Sequence, residues 1–145
     1  MTRQMTALPA GPVLLRHVLG RLPLAAGRYG VASYLEPVPF ADFERYADLG
    51  IVTGIYLITD IDRRVRWLGQ ASRDDDLVSR LADHWQDPAK RAVFTAVRVL
   101  HLRDHTPVAA VNAIEGKCAD WLDLRSTMRP ARVWPQATDW LTLVA

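Results

Sequence analysis

The segment from Ile51 to Thr59 is an almost unbroken run of β-prone, mostly apolar residues. It is too short for a typical helix and has no polar face, so it reads as a strand buried on both sides. Asp60, Asp62, Arg63 and Arg64 then form a polar turn, and Val65 to Gly69 resumes the β pattern. So short a connection allows only an antiparallel hairpin. A buried hairpin must sit inside a larger sheet and be covered by another layer, which already restricts the architecture.

The remaining chain supplies that layer. Asp74, Asp75 and Asp76 precede Leu77, Val78, Leu81, Ala82 and Trp85, an amphipathic helix whose opening acids serve the free backbone donors. Pro88 is expected to end this helix. Ala92 to Leu102 reads as a long strand, apolar on both faces and central in its sheet. Asp104 to Pro107 predicts a turn, with Thr106 as N-cap and Pro107 at the first helical position. The Ala-rich segment from Val108 to about Leu124 is the strongest helix in the chain, and the tail with Trp134, Pro135, Trp140 and Leu141 reads as packed.

Before the hairpin, residues 1–12 read as frayed and Val13 to Leu22 has helical spacing. A short strand is expected around Gly30–Leu35, and a short helix over Phe40 to Leu49 stopped by Gly50. The expected organisation is an N-terminal extension, residues 1–50, packed on a domain of residues 51–145. The expected class is α+β, with a small, mostly antiparallel sheet flanked by helices.

Half of the residues are apolar, enough for a real core, and the formal net charge is only +2. Basic residues cluster at Arg63, Arg64 and Arg66, at Lys90 and Arg91, and at Arg125, Arg129 and Arg132. By charge alone these read as a solvated, Arg-rich surface. Cys118 is the single cysteine, which excludes an intramolecular disulfide and a Cys-based zinc site and fits a reducing cytoplasm. No apolar run approaches the roughly 18 residues of a membrane span. The expectation is a cytoplasmic protein with no membrane segment.

Four side chains have chemistry to offer. Glu115 falls among Val108, Val111, Ile114, Cys118, Trp121 and Leu122 on the apolar face of its helix, where a carboxylate is costly unless paired. An ion pair with Arg, a helix edge that reaches water, and a metal ligand at a cleft all account for it. Arg80 and His84 are four apart on the helix after the hairpin, at the border of its apolar face. Arg suits phosphate oxygens and His can donate to one or move a proton, although a surface Arg beside a packed His has the same pattern. Tyr56 on the first strand is either a core aromatic or, beside a cation, a base. His101 and His105 share no helical face and His17 stands alone. Ser72 has no His and Asp partners in view.

Taken in order, these residues resemble the GIY-YIG nuclease family. Gly54-Ile55-Tyr56 matches the first tripeptide, and ten residues separate it from Trp67-Leu68-Gly69, in the place of the second. Arg80, His84 and Glu115 then stand where the family keeps its helix pair and its metal-binding acid. The resemblance spans about residues 51–125. It implies a three-stranded antiparallel sheet flanked by helices, and hydrolysis of DNA phosphodiesters with one divalent cation, Mg²⁺ or Mn²⁺. Carried over, Glu115 would hold the metal, Tyr56 would be the base, and Arg80 with His84 would stabilise charge on the phosphate.

Two departures stand out. Trp67 replaces the family's second tyrosine and cannot act as a base. No Asn follows Glu115, and Arg129 or Gln136 are the candidates to replace it. The leading reading is a metal-dependent DNA endonuclease or nickase. The alternatives are a non-catalytic nucleic-acid-binding module on the same fold and a protein-interaction domain. Cutting both strands calls for a second copy, a homodimer, but no dimer face is legible.

Overall fold

The computed structural model describes residues 8–32, 35–128 and 132–145. Its centre is an antiparallel sheet of five strands rather than three: β1 (Gly30–Ala32), β2 (Val38–Pro39), β3 (Gly54–Thr59), β4 (Val65–Ala71) and β5 (Ala96–Leu102). The order is β1-β5-β3-β4, with β2 also pairing with β5. The central hairpin and β5 form as their patterns predict. The two additional strands come from the first 50 residues, which complete the far edge of β5. Every residue of β3 is buried, as its unbroken apolar run requires.

Helices cover both faces. They are α1 (Arg16–Arg21), α2 (Arg45–Asp48), α3 (Leu77–Trp85), α4 (Pro88–Val93), α5 (Val108–Trp121), α6 (Leu124–Thr127) and α7 (Trp140–Val144). On one face Tyr56, Ile58, Val97 and Val99 pack with Leu77 and Leu81 of α3 and with Phe40 and Phe43. On the other, Ile55, Leu57, Leu68 and Leu100 pack with Val111, Ile114 and Cys118 of α5. Alternation along β3 thus divides one apolar strand between two cores. No helix among the described residues is long and apolar enough to cross a membrane.

Local chemistry explains most boundaries. Asp76 caps α3 by accepting from the Ser79 amide at 2.9 Å, the role expected of the Asp run. Pro88 does not end the helical region. It opens α4 at the first helical position, with Asp87 capping by accepting from Ala89 N at 2.9 Å, so β5 begins only at Ala96. At the start of α5 the N-cap is Pro107 rather than Thr106, whose hydroxyl instead donates to Arg103 O at 2.6 Å. The helix stops at Trp121 because Asp123 turns left-handed, at φ 57°, before α6. Val108, placed by periodicity on the apolar face, is 71% exposed.

The first residues described are not frayed. Gly11 N donates to Val65 O at 2.7 Å and Val65 N donates to Pro12 O at 2.9 Å, so this segment covers the start of the β4 edge. Farther along, Leu68 O accepts from Trp134 Nε1 at 2.9 Å and from Arg132 at 3.0 Å. The edge strand is therefore covered from both ends of the chain, which guards against pairing with another sheet.

Gly54 sets the closeness of β3 and β5. A Cβ there would meet Leu100 O at 2.7 Å, a backbone atom that cannot step aside. Gly54→Ala is expected to lower unfolding free energy by about 1–3 kcal/mol. Gly20→Ala, in a helix with nothing within 4 Å, should be neutral or stabilising by up to about 1 kcal/mol. Urea unfolding of the two variants beside wild type checks the contrast.

Candidate active site

Tyr56 in β3 pairs directly with Gly69 in β4, so both belong to the same face of the sheet. The phenol lies across Gly69: a Cβ on that glycine would collide with the Tyr56 ring and hydroxyl. The first motif's tyrosine and the second motif's glycine therefore form one fitted unit. Tyr56 itself is fully buried. Burial raises its pKa above the usual value near 10, and the nearby Arg80, Trp67 and Arg132 only partly oppose this.

The phenol oxygen lies 2.9 Å from His84 Nε2, and His84 Nδ1 lies 2.8 Å from Lys90 Nζ. His84 is only 6% exposed. Burial, reinforced by the charges of Lys90, Arg80 and Arg132, pushes its pKa down to about 4, so it is neutral at physiological pH. Trp67 borders this chain, its ring 4.9 Å from the imidazole and 4.5 Å beneath the Lys90 ammonium. Arg80, one turn before His84, forms an ion pair with Asp75 at 3.2 Å and lines a cavity of about 250 Å³ with Gln70, Ala71, Ser72 and Asp75.

Glu115 reaches the same edge from the opposite face. It has no solvent exposure. Its Oε1 accepts from Gln70 Nε2 at 2.8 Å, and the same amide donates to Asn112 Oδ1 at 2.8 Å. Arg132 approaches both carboxylate oxygens at 3.3 Å. Burial raises the Glu115 pKa; Arg132, Gln70 and Arg80 pull it back without cancelling the rise. Of the three explanations for this acid, the ion pair with Arg is the one present. The C-terminal segment that carries Arg132 is held by Arg125, which donates to Gly116, Trp134 and Pro135 carbonyls. Gly116 makes the crossing feasible, because a Cβ there would strike Pro135 O.

Glu115 can be tested as a metal ligand on its own atoms. Oε2 is buried and, although within ion-pairing distance of Arg132, accepts no hydrogen bond among the described residues. That leaves a carboxylate oxygen with free lone pairs, as a hydrated Mg²⁺ or Mn²⁺ requires, the other ligands being water and phosphate oxygens. Among the described residues no group of three or more His, Cys, Asp or Glu is placed to hold an ion, so a cation at Glu115 would take most of its ligands from water and phosphate. Arg132 stands in the approach and would have to swing aside.

The four expected side chains divide between the two faces of the sheet. Tyr56 and His84 are in contact on the α3 side, Glu115 sits on the α5 side, and Arg80 and Arg132 influence both across the β4 edge. Gly54, Ile55 and Leu68 are structural. Sequence reasoning missed Arg132 as the partner of Glu115 and Lys90 as the partner of His84. Arg129 lies outside the described residues and Gln136 is exposed. The alternation of β4 would have found Gln70, since the neighbour of Gly69 must face α5.

No family model matches the chain, and neither a curated protein nor a solved structure matches it. The resemblance to GIY-YIG nucleases rests on the motif residues alone.

A neutral, buried His84 has a consequence for stability. Below its ordinary pKa of 6.5 the unfolded chain takes a proton at His84 that the folded protein refuses until about pH 4. The unfolded state therefore binds more protons in this window. The stabilisation is complete above 6.5 and is lost as the pH falls toward 4. The loss should reach about 3 kcal/mol. Urea unfolding at a series of pH values should show a drop smaller by about 2–3 kcal/mol in His84→Gln than in wild type. An equal drop in both proteins would refute the neutral, buried imidazole.

Proposed function

We propose that this protein is a metal-dependent nuclease that hydrolyses DNA phosphodiesters at the open part of the β4 edge. The reading is carried by one observation: Tyr56 and His84 make a 2.9 Å contact beside Arg80, while a buried carboxylate, Glu115, reaches the same edge from the other face.

Each side chain has a part in this reading. Arg80 and Arg132 present guanidinium groups suited to a phosphate's oxygens. Tyr56 takes the proton of the attacking water at its phenolate oxygen. Burial works against that form, so the neighbouring cations and the His84 contact have to support it. Glu115 would hold the divalent cation, which when bound supplies Lewis-acid charge beside the phosphate and lowers the pKa of a water. Gly69 and Gln70 divide the labour by position, one passing the phenol on the α3 face and the other steadying the carboxylate on the α5 face.

The ion pair between Arg132 and Glu115 favours a second reading, a nucleic-acid-binding module that retains the site without cleaving. One experiment separates the two. Supercoiled plasmid is incubated with wild type and with Glu115→Gln across Mg²⁺ and Mn²⁺, and binding of labelled DNA is followed against salt. The nuclease reading expects metal-dependent nicking that falls roughly 100-fold or more in the variant, assayed well below its thermal midpoint, which loss of the buried ion pair should lower. Salt-sensitive binding with no nicking in either metal supports the binding module. Nicking undiminished in Glu115→Gln would remove the carboxylate from the mechanism.

A further inference from the structure

Lys90 lies outside every motif that pointed to the site, yet it completes a chain of contacts that ends on Tyr56. Pro88 and the Asp87 cap fix the start of α4 and so place Lys90 against His84. Its ammonium rests on the face of Trp67, 4.5 Å from the ring centroid, a contact stabilised by the negative face of the indole. From there Nζ reaches His84 Nδ1 at 2.8 Å, and His84 Nε2 reaches the Tyr56 oxygen at 2.9 Å.

The donor inventory orders this chain. An ammonium has only protons to give, so Nδ1 must accept from it. A neutral imidazole carries one proton, which then belongs to Nε2 and is donated to the Tyr56 oxygen. We propose that Lys90 is a positioning residue acting through His84: it fixes the Nε2–H tautomer and so keeps the Tyr56 oxygen a hydrogen-bond acceptor. The phenol proton is then directed away from His84, and a phenolate at Tyr56 would meet a ready donor. The buried indole N–H of Trp67, which has no acceptor among the described residues, also faces this group. The tryptophan that departs from the GIY-YIG pattern thus gains a purpose: it carries Lys90 on its face and offers a donor at its edge.

The purpose of this arrangement rests on the proposed nuclease reading, but its geometry does not, and the test keeps them apart. Nitrogen-15 NMR of histidine-labelled protein reports which ring nitrogen of His84 is protonated, with no substrate present. Wild type should show Nε2 protonated and Nδ1 as the acceptor. Lys90→Met, which keeps the stem and removes the donor, should give mixed tautomers, and Lys90→Arg should restore the wild-type signature. In the plasmid assay Lys90→Met should lose about 10- to 100-fold in nicking rate, as is typical when a residue behind the reacting group is removed, with DNA affinity largely retained. Arg should rescue the rate. A wild-type His84 protonated at Nδ1, or a tautomer unchanged in Lys90→Met, overturns the proposal whether or not the protein cleaves DNA. An ordered tautomer in a wild type that never nicks leaves the proposal standing and sinks only the nuclease reading.

Discussion

Glu115 is an acid with no access to water, and the arrangement around the β4 edge answers that fact. A carboxylate withdrawn from solvent must be matched by donors or lose its charge. Gln70 reaches it from the strand, and Arg132 reaches it from the C-terminal segment. That segment can cross α5 only because Gly116 has no side chain, and Arg125 holds it by the Trp134 and Pro135 carbonyls while donating also to Gly116 O of α5. The same crossing brings Trp134 and Arg132 onto Leu68 O, closing the middle of a strand edge whose start is covered by Gly11 and Pro12. One buried charge thus links a helix, a strand and the tail.

The opposite face is solved by different means. There the polar groups are neutral or cationic: a buried phenol, an imidazole whose pKa is pushed down to about 4, an ammonium and a guanidinium. Arg80 and Arg132 act on the buried Glu115 from across the edge, Lys90 stays on the α3 side against His84, and Asp75 is exposed and paired to Arg80. Asp87 adds a further carboxylate beside Lys90 and His84, so the cations of the site are met by acids on neighbouring elements.

The hairpin, α3 with its Asp cap, and α5 were legible because each follows from a local pattern: an unbroken apolar run, acids before an amphipathic stretch, and Ala-rich helical periodicity. What failed was non-local or ambiguous. Pro88 has the same sequence appearance whether it ends one helix or begins another, and the Asp87 cap decided for the second. β2 is too short to be read as a strand and, like the expected short strand at β1, pairs with the available edge of β5. Tyr56, Arg80, His84 and Glu115 were visible as anomalies or by resemblance. Lys90 and Arg132 were visible only as members of charge clusters, since no spacing rule connects them to the residues they touch.

The two glycines of the motif show why short signatures of this kind carry structural information. Gly54 is required by the backbone of β5, and Gly69 by the ring of Tyr56. Neither requirement concerns catalysis directly; each sets how closely a group can approach. With Gly69 bare, the phenol can lie over the edge strand toward the side where Arg80 and Arg132 act on it. Any side chain at that position would force Tyr56 out of its contact with His84 and unlink the chain from Lys90. The tripeptides therefore describe a clearance between strands, and the reactive side chains depend on that clearance being kept.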